Sequence, residues 1–322
     1  MHARTPTDPL TALRDPTTGI VHSDSATVAR IAQEHFESLL APTHIIKTGN
    51  YRPKDRAADF QYPWESPLNP DRFTLTSARW AEDALVDSGE PQDSPETADI
   101  LELLMDRCTY EARLKHIKRG KAPGPDSIPN ELLKTLPAEW HDTIHSLFVI
   151  MWITGNTPHA WKESNTILLH KKNDPYLVAN YRPIGLASSM YKLWTSNVTH
   201  VTMHHALRHS IIHKSQEGGI IRRDTRRQLR NLINTFEDAY HSKQDLYCLF
   251  VDFSNAFNMV DHDKLLCIMF DLGIPPDAIE VVKGIYHEHR TTINLPGGNT
   301  NPVGVVRGTI QGDPLSPLLF VL

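Results

Sequence analysis

An apolar run from Leu246 to Val251, reading LYCLFV, ends in the carboxylate of Asp252, with Phe253 beside it and Phe257 five residues on. An unbroken apolar run of this length suits a strand buried on both faces. A carboxylate at the end of such a strand is costly to desolvate unless a cation or a hydrogen-bond network receives it. Metal-assisted phosphoryl transfer uses carboxylates placed in this way. DFSN is also good turn chemistry, so Asp252 as a simple turn cap stays open.

Three further segments carry candidate chemistry. In LLHKKNDPYLVANYRPIGL, residues 168–186, Lys171 and Lys172 stand at a strand end and Arg182 beyond a turn. Lysine offers a compact charge and arginine a bidentate fork, a suitable pair for a triphosphate, or else a solvated loop. Between Arg208 and Arg230 there are seven Lys or Arg against two acids. Arg222, Arg223, Arg226 and Arg227 form a stripe that a phosphate backbone could follow, though an exposed helix face would look similar. In RGTIQGDPLSPLLF, residues 307–320, Gln311 lies between two glycines and could present its amide to a base edge or a sugar. Asp313 reads as the cap of a final helix that has Pro314 at its first position. His200, His204, His205, His209 and His213 fall at helical spacing, but with no nearby Cys or acidic ligand they read as a helix face.

The elements that must position these groups alternate without a repeat. A helix is expected over 25–40, with Ser23 or Asp24 as its cap. Residues 41–73, rich in proline, read as a linker or strap, and a short helix is expected over about 76–86. Helices are expected over 97–119, 130–154, 186–212, 223–242, 262–272 and 276–287. Strands are expected over 164–170 and 246–252, with a hairpin-like pair over 290–295 and 302–306. The mixture points to an α+β fold. The domain reading is a disordered N-terminus over 1–22, a helical and linker extension over 23–96, then units over 97–245 and 246–322.

Bulk composition narrows the class. The chain is 40% hydrophobic and 22% charged, ordinary for a globular protein, with a net charge of -5. That charge argues against a uniformly basic coat and leaves room for a local basic channel. The three cysteines have no metal-like spacing, and an odd count fits a reducing compartment. No apolar run is long enough to span a bilayer. The expectation is an intracellular protein, nuclear or cytoplasmic, neither secreted nor bound to a membrane.

Taken together, the segments resemble the reverse transcriptases of non-LTR (LINE-type) retrotransposons, from about Phe73 to Leu322. KAPGPDSIPNELLK looks like that family's N-terminal fingers block and NYRPIGLASSMYKL like its first core block. QEGGIIRRDT, VDFSNAFNMVDHDKL and RGTIQGDPLSPLLF are similar to the next three, in order. Residues 20–42 also resemble the helix that often precedes this domain. The resemblance implies a right-hand polymerase fold, with fingers over 97–245 and an incomplete palm over 246–322, without a thumb. It implies RNA-directed DNA synthesis from dNTPs on an RNA template and a DNA primer, with Mg²⁺. Asp252 matches the first catalytic aspartate and metal ligand. Phe253 matches a main-chain contact to metal or triphosphate, and Phe257 the aromatic gate that excludes a 2′-hydroxyl. Arg182, with Lys171 or Lys172, matches the triphosphate clamp, and Gln311 the glutamine beside the templating pair.

Two positions depart from the pattern: Asn255 where a basic residue is frequent, and Asn258 where an aspartate is common. The family's Tyr-x-Asp-Asp hairpin is not among the 322 residues. One carboxylate cannot hold two Mg²⁺ ions about 3.5–4 Å apart. Asp261 and Asp263 are the nearest further acids, and they read better as the start of a helix. The expectation is therefore a domain inactive by itself, with the remaining palm and thumb in another segment. A catalytically dead remnant that binds RNA or DNA at most is the alternative, and both stay open here.

Overall fold

The computed structural model describes residues 10–41, 95–220 and 223–322. All but the first residue of the expected strap over 41–73, and the helix over 76–86, lie outside these residues, as do residues 1–9 and Arg222.

A short hairpin, β1 (Leu13–Arg14) with β2 (Val21–His22), opens the fold, and α1 (Ser25–Leu40) follows. Asp24 caps α1 by accepting from the Thr27 amide at 2.9 Å, which leaves Val28, Ile31, Ala32, Phe36 and Leu40 on one buried face. Residues 10–22, expected to be disordered, are instead built into the fold: Leu13 is fully buried, and the Arg14 amide donates to the Tyr176 carbonyl at 2.7 Å. One buried leucine stabilises by about 1.5–3 kcal/mol, enough to hold a two-residue strand that composition alone marks as loose.

Next come α2 (Pro95–Met105) and α3 (Arg107–His116), in place of the single helix expected over 97–119. Asp106 divides them, its carboxylate accepting from the amides of Cys108 and Thr109 to start a new helix. The stretch expected as one helix over 130–154 is also two, α4 (Asn130–Thr135) and α5 (Ala138–Thr154). Pro137 lacks an N–H and disfavours helical backbone at Leu136, which is extended at ψ 143.

β3 (Glu163–His170) and β4 (Tyr181–Ala187) form an antiparallel pair, and α6 (Ser189–Arg208) follows. β4 is an addition to the expected elements, because Pro183 and Gly185 interrupt its pattern. It is the edge strand, where a missing N–H is tolerated. After α7 (Thr225–Ser242) come α8 (His262–Asp271), α9 (Pro276–Tyr286), β5 (Arg290–Asn294), β6 (Val303–Gly304) and α10 (Ser316–Val321). The sheet order is β4-β3-β5-β6, with β3 and β5 parallel and β5 and β6 antiparallel. The architecture is α+β.

The sheet joins residue 163 to residue 290 and so crosses the expected division at 245/246. One apolar core runs from Ile100 to Leu319 and includes Tyr110, Phe148, Trp152, Trp194 and Ile285. A second lies between α1 and the sheet, where Val28, Ile31 and Phe36 meet Tyr181, Ile293 and Val303. The N-terminal helix is thus a wall of the same body.

The largest correction concerns residues 246–252. They form no strand, and Tyr247, Leu249, Phe250 and Val251 are 90%, 89%, 76% and 68% exposed. A strand is held by its ladder, and among the described residues no neighbour pairs with this run. Helix α7 before it buries none of its residues and carries Leu229, Ile233, Phe236 and Tyr240 exposed along it.

Candidate nucleotide and nucleic-acid site

Gln311 sits where three distant segments meet. Its carbonyl accepts from the Gly185 amide of β4 at 2.7 Å, and its side-chain amide donates to Asn258 Oδ1 at 3.3 Å. Around it, the Thr309 amide donates to the Phe257 carbonyl at 2.8 Å and the Gly308 amide to the Val260 carbonyl at 2.7 Å. His262 Nε2 lies 2.8 Å from the Gly308 carbonyl. Burial holds the His262 imidazole below its ordinary pKa.

Two glycines permit this approach. A Cβ on Gly185 would run into Ile310, and one on Gly308 would lie 2.9 Å from the Asn258 backbone. Gly308 also has φ +84, in the region that favours glycine. Behind the junction lies a cavity of about 40 Å³ bounded by Phe36, Leu40, Thr166, Thr291 and Asn258. The buried Thr309 hydroxyl has no hydrogen-bond partner there.

The other candidates sit as follows. Lys171 and Lys172 are exposed in the turn after β3, the Lys171 amide donating to the Asn180 carbonyl at 2.8 Å. Arg182 is exposed on β4, in register with Leu169, so the hairpin end groups the three cations. Phe257 is partly buried, with its ring centroid 5.1 Å from that of Phe320. Asp252 and Phe253 are exposed on the unpaired run. Among the described residues no group of three or more His, Cys, Asp or Glu side chains could hold a metal ion. Asp252 alone does not make a magnesium site.

The basic stripe lies just before and within the first turn of α7, and its described members have partners. Arg223 donates to the Gln216 carbonyl at 2.7 Å, Arg226 pairs with Asp224 at 2.6 Å, and Arg227 lies 3.4 Å from the buried Glu217. Arg226 and Arg227 nonetheless keep 87% and 68% of their side chains in solvent.

Asp313 is not the cap expected of it. Helix α10 begins at Ser316 without a side-chain cap, while Asp313 turns inward to accept from the Thr195 hydroxyl of α6 at 2.5 Å. Sequence reasoning missed Thr195, which carries no local signal. It also missed Gly185, although a glycine inside a strand pattern does signal a close backbone approach.

Residues 169–322 match the protein-family model for "Reverse transcriptase (RNA-dependent DNA polymerase)". Over those residues the chain is thus similar to reverse transcriptases, and the relatives it resembles include polymerases of mobile elements. It is 28% identical over 201 residues to the RNA-directed DNA polymerase from mobile element jockey of Drosophila melanogaster, covering 62% of this chain and 22% of that protein. It is 29% identical over 206 residues to a Pol polyprotein from the type-1 retrotransposable element R2 of Popillia japonica, covering 63% of this chain and 27% of that protein. Against the Transposon TX1 uncharacterized 149 kDa protein of Xenopus laevis, identity is 24% over 273 residues, covering 84% of this chain and 20% of that protein. The chain spans about a quarter or less of the length of most curated relatives that it matches. No helix among the described residues is long and apolar enough to cross a membrane.

Proposed function

We propose that this chain supplies the fingers (97–245) and part of the palm (246–322) of an RNA-directed DNA polymerase, working with an RNA template, a DNA primer and dNTPs. The observation that carries this reading is the junction at Gln311. There β4, the segment after Asp252 and the GTIQG loop are hydrogen-bonded together across more than a hundred residues of sequence. Such convergence builds a surface where a base pair, a sugar and a triphosphate could be read at once. On this reading Arg182, Lys171 and Lys172 hold the triphosphate, Phe257 bars a 2′-hydroxyl, and Gln311 faces the templating pair. Phe253 offers its main chain to the nucleotide.

Asp252 would contribute one ligand to a magnesium site that needs at least one more carboxylate. The exposed apolar run 246–251 and the bare face of α7 are suited to receive strands that bring it. A palm segment with paired aspartates, covalently attached or supplied by another segment, fits that place.

Primer extension tests the proposal. Residues 1–322 alone are expected to bind an RNA template annealed to a DNA primer without extending it. A chimera that adds the palm and thumb of a matched relative should extend with dNTPs and Mg²⁺, and Asp252→Ala should abolish extension. A chimera whose activity survives Asp252→Ala would refute the assignment, and extension by residues 1–322 alone would refute the need for more carboxylates.

A further inference from the structure

Asp313 is 3% exposed, although nothing in its sequence setting marks it for burial. Its Oδ1 accepts from the Thr195 hydroxyl, and Oδ2 has no hydrogen-bond partner. Thr195 is fully buried on α6. The Leu315 main-chain amide also favours the charged form, and the remaining polar groups around the carboxyl are poor partners. The Tyr191 hydroxyl, fully buried, is itself unpartnered. The Tyr286 hydroxyl of α9 lies toward Ser316 and Ile310 without a well-formed bond. Lys192 is the charged group that favours ionisation of Asp313, and it is shared with Asp126.

An ionised carboxylate in such a place leaves Oδ2 buried and bare, a costly state for a charge. A neutral acid needs fewer partners. We propose that Asp313 is a positioning residue that holds the Gly308–Asp313 loop against α6 as a neutral carboxylic acid, and that loss of its proton loosens the loop. That this loop serves the polymerase site rests on the function proposed above; the latch itself does not.

Burial pushes the Asp313 carboxyl up to about 7 from an ordinary 3.8, with Thr195 opposing. The groups that face the carboxyl itself do not share that window; at the other end of the loop, His262 bonds the Gly308 carbonyl and is held below its ordinary value by burial, in the wild type and in Asp313 variants alike. Burial drives Tyr191 and Tyr286 upward, away from neutrality, and holds the imidazole of His289, on the far side of Tyr191's ring contact, down at about 4. The sign follows from linkage: the docked loop keeps a proton that the released loop gives up, so docking is strongest at low pH. Release should become about tenfold easier per pH unit from about 4 to about 7, then level off.

Two measurements on the full 322-residue chain test this. Isotope-labelled aspartate NMR should show one carboxyl, assigned by its loss in Asp313→Asn, titrating near 7. Thr195→Val should move that midpoint higher. Amide hydrogen exchange at Gly308, Thr309 and Asp313, corrected for its intrinsic pH dependence, should accelerate about tenfold per unit between pH 5 and 7 in the wild type. It should lose that acceleration in Asp313→Asn, whose side chain mimics the neutral acid, leaving only what His262 contributes at Gly308. A midpoint near 4, or the same exchange profile in both proteins, would overturn the proposal. The NMR titration needs only the wild type beyond its assignment, so an unstable variant does not remove the test. Neither readout requires polymerase activity, so failure of the latch and failure of the polymerase reading are separately visible.

Discussion

Arg307 donates its Nε to the main-chain carbonyl of Leu39 at 2.8 Å, joining the last turn of α1 to the segment that leads into the Gln311 loop. Arg307 is only 7% exposed, so a buried guanidinium secures an N-terminal helix that lies outside the matched family region. Losing a buried, charge-assisted hydrogen bond costs about 1.5–3 kcal/mol. Arg307→Leu is therefore expected to lower the urea midpoint by an amount of that order. Removing residues 1–41 should cost more, because it bares Ile293, Val303 and Tyr181 beneath α1. An unchanged urea midpoint after that deletion would show that α1 is an appendage and not a wall of the domain.

The apolar run 246–251 yields an unusual expectation for phenylalanine and leucine. Replacing a large side chain in a buried strand costs about 2–5 kcal/mol. Here Leu249 and Phe250 are exposed, so Leu249→Ser with Phe250→Ser should change stability by about 0.5 kcal/mol or less. The same pair should reduce binding of a hydrophobic dye and slow aggregation, since patches of exposed aromatics drive both. Thermal unfolding together with dye fluorescence reads the two effects. A large loss of stability would place these residues in a core.

The stripe over 223–227 separates into residues with different expected roles. Arg226 and Arg227 extend into solvent, whereas Arg223 is tied to the Gln216 carbonyl. Replacing Arg226 and Arg227 with alanine should weaken single-stranded RNA binding and flatten its salt dependence, by about 0.7 in log–log slope for each phosphate no longer neutralised. Arg223→Ala should chiefly loosen the segment at 213–220 that it ties through Gln216, seen as faster proteolysis there. Unchanged RNA affinity and slope in the double variant would return Arg226 and Arg227 to a solvated helix face.

Much of this is legible in the chain itself. Capping residues and apolar periodicity give α1, α7, α8 and α9 close to their observed bounds, because a helix satisfies its own backbone within a local window. The ordered blocks around Arg182, Asp252 and Gln311 are enough to bring out the likeness to reverse transcriptases. Local rules also explain two misreadings, since Asp106 and Pro137 carry the signals that divide helices expected to be continuous.

Tertiary structure decided what local rules cannot reach. Leu246 to Val251 has the composition of a buried strand and yet lies open, because a strand exists only with a neighbour to complete its ladder. Leu13 sits in a segment that looks disordered and is fully buried, because it joins the apolar cluster that α1 forms over the sheet. Asp313 has the spacing of a helix cap and instead faces Thr195, more than a hundred residues away. The sequence determined which groups are available for chemistry; packing between distant segments decided which of those groups are buried, which are paired and which remain open to a partner.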